Sequence, residues 1–208
     1  MLNELIERYS CLDVCRDSLR AAADAMIHCY SQGGKVLTCG NGGSCADADH
    51  IVGELMKGFL KKRPLSEGQR QSMKERCPEL SDQILVKLQC GLPALSLCSL
   101  TALNTAFCND ADPELIYAQA VLGLGIPGDI LICMSTSGNA KNVFAAAQVA
   151  KSLGLTVIGL TGKNGGKLSQ VADICIRVPE TETYRIQELH LPVYHYLCAA
   201  VEAHFFPL

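Results

Sequence analysis

Two side chains that can exchange protons or hold a metal ion stand one helical turn apart in the stretch LTCGNGGSCADADHIVGEL, residues 37–55. On a helix His50 and Glu54 are i and i+4 and share a face. That spacing suits metal ligation, acid–base work or a plain surface ion pair; the glycine loop just before it favours chemistry. A second set lies in TYRIQELHLPVYHYLCAAVEAHFF, where Gln187, Glu188, His190 and His195 stand among apolar residues. Gln187 and His195 are eight positions apart, roughly 12 Å along a straight helix. They meet at one small ligand only if the helix bends or two subunits contribute one each. Pro192, between them, removes the bond to the Glu188 carbonyl and predicts a kink.

Two turns have the composition of an anion cradle. VLTCGNGGS and ILICMSTSGNAKN each end an apolar run with glycines and hydroxyls and then open a helical pattern. Such a turn exposes backbone N–H groups at the positive end of a helix, and small residues let an anion approach closely. Ser135, Thr136 and Ser137 add hydroxyl donors, and Asn139 is placed to cap the second helix. Neither turn has the Lys-Ser/Thr ending of a Walker loop or a GxGxxG pattern. A third loop, GLTGKNGGKLSQ, is explained by turn geometry and is assigned no chemistry.

The elements that must position these residues alternate short apolar runs with longer amphipathic ones, which predicts an α/β fold with a mainly parallel sheet. Strands are expected at KVLTC, ALSLC, DILICMS, TVIGLT and ICIRV. Helices are expected over about 2–31, after Ser44, across AKNVFAAAQVAKSLG with Gly154 as C-cap, and from Tyr184 to Phe206. Both cradle turns then lie at strand C-terminal ends, where open α/β sheets hold ligands. Residues 60–93 break the rhythm with dense charge and little apolar face, and read as an excursion from a single domain spanning 1–208: a solvated helix and loop, a lid or a subunit contact.

Composition narrows the function classes. A net charge of −3 without a long basic run argues against a protein built to neutralise nucleic-acid phosphates. The N-terminus is acidic and amphipathic, unlike a secretory leader, and no apolar run approaches the roughly 20 residues of a membrane span. Twelve cysteines occur without a CxxC pair. Those in apolar runs (Cys39, Cys98, Cys133, Cys175) behave as small hydrophobes, and the set reads as reduced thiols in a cytoplasm.

Taken together, CGNGGSCADADHIVGEL, STSGNAKNV, LTGKNGGKL, ADICIRVP and RIQELHLPVYH resemble the sugar isomerase (SIS) domain family, and within it the phosphoheptose isomerases. The resemblance implies about five parallel strands flanked by helices in a flavodoxin- or Rossmann-like three-layer sandwich, a cytoplasmic homotetramer, and active sites at subunit interfaces. It implies conversion of sedoheptulose 7-phosphate to D-glycero-D-manno-heptose 7-phosphate through an enediol. Carried over residue by residue, Glu54 and His195 form the acid–base pair. Ser135, Thr136 and Ser137 bind phosphate, while Asn41, Gly42, Ser44, Asp110 and Gln187 lie near the sugar. One zinc ion per site is implied at His50, Glu54, Gln187 and His195.

Four features depart from the family pattern. Ala140 stands where serine is usual, which removes one hydrogen bond to phosphate, on the order of 1.5–3 kcal/mol. Lys57-Gly58-Phe59 stands for a Gly-Arg-aromatic run, and lysine does not reproduce arginine's planar fork. Pro192 and the 60–93 excursion are the others. Rival readings are an isomerase of another sugar phosphate, a noncatalytic binding module of the replication-initiator-associating type, and a nucleotide-binding α/β protein. Retention of His50, Glu54, Gln187 and His195 together favours the enzyme, and the missing fingerprints weigh against the nucleotide.

Overall fold

The structure is a computed structural model that describes residues 1–207. In chain order its elements are α1 (Leu2–Arg8), α2 (Arg16–Ser31), β1 (Val36–Gly40), α3 (Gly43–Met56), α4 (Glu67–Arg76), α5 (Asp82–Lys87), β2 (Ala94–Ser96), α6 (Thr101–Asp110), α7 (Ile116–Leu124), β3 (Ile130–Met134), α8 (Lys141–Ser152), β4 (Thr156–Thr161), α9 (Leu168–Val171), β5 (Ile174–Arg177) and α10 (Thr183–Phe205). Short 3-10 turns occupy Ser10–Cys15, Leu97–Ser99 and Pro113–Leu115. The five strands form one wholly parallel sheet in the order β2-β1-β3-β4-β5.

Continuous apolar strands are what a sheet covered on both faces requires, and the residues of β1 and β3 divide strictly by parity. Val36, Ile130, Ile132 and Met134 join the core formed with α2, α3 and α10. Leu37, Cys39, Leu131 and Cys133 join the opposite core, with α7 and α8. The result is a three-layer sandwich, with α3 and α8 on opposite faces. Chain order reverses between β1 and β3, since β1 leads outward to β2 and the chain then crosses back. That is the topological switch point of a doubly wound sheet, where the loops on either side splay apart and leave a crevice.

Three sequence expectations are corrected. The single helix over 2–31 is instead α1 and α2, separated by Tyr9 at φ −131°, ψ 70° and the following 3-10 turn. No glycine or proline marks that break. Asn139 does not cap α8: the N-cap is Ala140, which has no capping side chain, while Asn139 donates to the Ser137 carbonyl and accepts from the Lys167 amide. The segment ALSLC is strand only through Ser96 before it tightens into a 3-10 turn. Gly154 follows α8 at φ +81°, the left-handed cap expected of it. Helix α10 runs unbroken through Pro192. Among the described residues no helix is long and apolar enough to cross a membrane.

Candidate active site

The crevice at the switch point is a cavity of about 370 Å3. Asn41, Gly42 and Ser44 line it from the turn after β1; Ser135, Thr136 and Ser137 line it from the turn after β3; Gln187 closes it from α10. Seven residues chosen from sequence are thus brought to one space. Helices α3 and α8 both begin at its edge, so two positive helix ends face the same volume. Gly42 is the N-cap of α3 at φ +57°, a conformation that L side chains rarely adopt. At Gly43 a Cβ would lie 2.5 Å from Gln187 Nε2, so the missing side chain is what admits the glutamine.

The two turns are locked to each other. Asn41 and Asn142 exchange a reciprocal pair of amide hydrogen bonds, 2.8 and 3.0 Å. The Tyr117 hydroxyl donates to the Gly40 carbonyl at 2.7 Å, fixing the end of β1. The third loop proves structural. A Cβ on Gly138 would fall 2.0 Å from the Gly165 carbonyl oxygen, and one on Gly166 would fall 2.4 Å from the Ser137 carbonyl oxygen. Loop 162–167 therefore presses backbone to backbone behind the serine turn and holds its shape, a packing reason for its glycines.

A second group gathers at the other end of α3. Glu54 Oε1 is 3.1 Å from His50 Nε2, and Lys57 Nζ donates to Glu54 Oε2 at 3.1 Å. The His195 ring stands edge-on to His50 with centroids 5.1 Å apart, and leans on Phe59 at 5.3 Å. Its Nε2 is buried without a hydrogen-bond partner. Burial, then the neighbouring His50, lowers the His195 pKa below its ordinary value, while Glu54 pulls the other way; the ring therefore favours the neutral form. Behind them, the Tyr194 hydroxyl lies 3.0 Å from His50 Nδ1 and 3.1 Å from Asp47 Oδ1.

This end of the helix is anchored by a buried ion pair. Arg63, fully buried, donates through Nε to Glu202 Oε1 at 2.8 Å. Its Nη1 donates to the Leu55 carbonyl at 2.7 Å and its Nη2 to the Glu54 carbonyl at 3.2 Å, two of the orphan acceptors at the end of α3. Glu202 also accepts the amides of Phe59, Leu60 and Lys61. Burial alone would raise its pKa, yet those amides and the guanidinium lower it. Between the two groups on α10, His190 is fully buried, and burial lowers its pKa to about 4 against the opposing pull of the Thr161 backbone. It is a core residue.

Orphaned His195 Nε2 and the adjacent imidazole and carboxylate are donors of the kind zinc takes. Within the single chain, however, Gln187 stays with the cradle, and among the described residues no three His, Cys, Asp or Glu side chains surround a common point. The chain supplies fitting donors in two places. Asp110 is exposed at the end of α6, where its carboxylate accepts from Asn109, and it is absent from the cavity lining. Gly58 has a physical cause: a Cβ there would lie 2.3 Å from the Lys61 carbonyl oxygen and 2.6 Å from Gln89 Oε1, so no arginine fits. Those contacts belong to the stem of the excursion, closed by a Pro64–Gln89 bridge and by the Cys90 amide donating to the Arg63 carbonyl.

Sequence reading missed Asp47, Tyr194, Arg63, Glu202, Asn142 and Tyr117. An acid at i−3 from His50 was the one local signal; the contacts described above for the others span 77 or more positions, except for those of Arg63 to α3.

With this geometry in place, the family can be stated. The SIS domain profile matches residues 4–83 and 88–162, and the chain belongs to the SIS domain family. Its relatives include a phosphoheptose isomerase of Rhodospirillum rubrum, 40% identical over 188 residues, covering 90% of this chain and 86% of the relative. Among solved structures, phosphoheptose isomerases from Neisseria gonorrhoeae (31% identity, TM-score 0.76, 97% of this chain and 94% of that one) and Francisella tularensis (32%, 0.77, 96% and 93%) share the fold across nearly their whole length.

Proposed function

We propose that this chain is a phosphoheptose isomerase, interconverting sedoheptulose 7-phosphate and D-glycero-D-manno-heptose 7-phosphate through an enediol. The observation that carries the reading is α3 itself, which opens on a hydroxyl-lined anion cradle at one end and presents Glu54 and His50 beside His195 at the other. Ser135, Thr136 and Ser137 hold the phosphate with the two helix N-termini; Asn41, Gly42, Ser44 and Gln187 orient the sugar. Glu54 takes a proton from the carbon beside the carbonyl and returns it to the neighbouring carbon. Neutral His195 exchanges protons with the two oxygens. Residues His50, Glu54, Gln187 and His195 are the donors for one zinc ion, which when bound supplies positive charge beside the carbonyl oxygen.

Gly43 and Glu54 are eleven positions apart on one helix, roughly 16 Å, more than a seven-carbon sugar with its phosphate spans. The cradle of one subunit therefore works with the acid–base group of another, in a cytoplasmic homotetramer whose sites lie between subunits, and Asp110 reaches the sugar from the exposed α6. This supports small-molecule work rather than nucleic-acid or membrane binding. A sugar phosphate of another length is the second reading, favoured by the glycine at position 58 that leaves the site without an arginine.

The test is turnover of sedoheptulose 7-phosphate by purified protein, chelated and then resupplied with zinc, with aldose product followed by NMR. Product that disappears on chelation and returns with zinc is expected. Glu54→Gln should lower turnover by about 10²–10⁴-fold while leaving oligomeric state unchanged; undiminished turnover removes Glu54 from the mechanism. Absence of product in every condition moves the protein to another sugar phosphate or to a binding module.

A further inference from the structure

Tyr194 takes part in none of the steps above, yet it is the best-connected side chain behind the acid–base group. It is buried, at 1% exposure, and its ring stands edge-on to both histidines, 5.4 Å from His50 and 5.0 Å from His195. Its hydroxyl lies between His50 Nδ1 at 3.0 Å and Asp47 Oδ1 at 3.1 Å. A phenol has one proton to give. A carboxylate accepts it more strongly than a neutral imidazole, because the bond is charge-assisted, so Tyr194 donates to Asp47 and its oxygen accepts from the ring. We propose that Tyr194, backed by Asp47, is the positioning residue for His50, holding the imidazole with a proton on Nδ1 and its Nε2 turned to Glu54.

The consequence is that Nε2 faces a carboxylate oxygen at 3.1 Å, where a cation shared between the two can take the place of a proton. A partner on the far nitrogen that fixes tautomer and ring orientation is how imidazole donors are made effective. The relay also joins elements remote in sequence, since Asp47 and His50 lie on α3 and Tyr194 on α10. The inference rests on reading His50 as a donor at the proposed site, but its first test requires neither metal nor substrate.

The tautomer of His50 is read directly by long-range 1H–15N NMR of metal-free, 15N-labelled protein. The expected result is a proton on Nδ1 in the unsubstituted chain, lost from Nδ1 in Tyr194→Phe, which keeps the ring and its packing. Zinc affinity, measured by competition with a chromophoric chelator, should fall by about 10–100-fold in Tyr194→Phe, and by a smaller factor in Asp47→Asn. A His50 Nδ1 that carries no proton in the unsubstituted chain overturns the proposal. So does a Tyr194→Phe protein, folded by circular dichroism, whose tautomer and zinc affinity are unaltered. Failure to isomerise the heptose, or to bind zinc, counts against the reading in the preceding subsection; the NMR spectrum still decides this one.

Discussion

At its N-terminus α3 meets the cavity with almost no side chain of its own: Gly42 turns the backbone, Gly43 makes room for Gln187, and Ser44 is nearly buried. At its C-terminus the same helix presents Glu54, bounded by His50 and Lys57 and anchored through its carbonyl by Arg63. Recognition of an anion by main-chain dipoles depends on side chains being absent, so that a phosphate can approach N–H groups that the helix leaves unpaired. Proton transfer depends on side chains being present and held, because a carboxylate that wanders loses the orientation on which its rate depends. The first end is built from its own loop, the turn after β3 and Gln187. The second is built from residues borrowed from α10 and from the stem of the excursion.

If this contrast is right, the two ends can be broken separately. The largest stability effect belongs to Glu202→Ala, which strands Arg63 and the amides of Phe59, Leu60 and Lys61 in the interior; unpairing a buried ion pair costs about 3–5 kcal/mol. A lower urea midpoint with an unchanged slope is expected, together with retained affinity for inorganic phosphate at the cradle. A variant that loses phosphate binding at temperatures where it remains folded would show that the two ends are one unit.

His190, buried between them on α10, gives a pH-dependent effect. Its folded pKa of about 4 lies below its ordinary 6.5, so the unfolded chain binds a proton that the folded ring refuses. Stability from this group is full above pH 6.5 and declines as pH falls toward 4, by up to about 3 kcal/mol. His190→Leu should flatten that acid limb of a thermal-unfolding series; an unchanged limb assigns it to other groups.

The smallest effect tests the cradle alone. Ala140 is an N-cap without a capping side chain, and Ala140→Ser should stabilise α8 by about 1 kcal/mol while lowering KM for the sugar phosphate. No change at Glu54 is expected, so kcat should hold; a changed kcat would again join the two ends.

The strands, the switch-point loops and the pairing of His50 with Glu54 were legible because each is written in local terms: apolar runs of the right length, glycines at turns, a four-residue period. What failed to show was also consistent. The break at Tyr9 carries no helix-breaking residue, Asn139 bonds to a loop 28 positions away instead of capping, and Arg63 lies within a run of charges that reads as solvated surface. Of the charged residues in that run, Arg63 alone is buried, since its partner Glu202 lies 139 positions further on.

From its sequence alone, then, this protein has its sheet, two glycine- and hydroxyl-rich turns at strand ends, its membership in a family by resemblance, and the list of side chains able to do chemistry. Periodicity and turn composition are properties of neighbours along the chain, and neighbours suffice to specify them. Only the tertiary structure decided that Gln187 and His195, eight positions apart on one helix, serve opposite ends of α3. It alone decided that Asp47 and Tyr194 stand behind His50 and that a buried arginine closes the helix that carries Glu54. Those arrangements are set by which faces of α3 and α10 pack together, and hydrogen-bond partners brought together by packing leave no periodic trace in either segment.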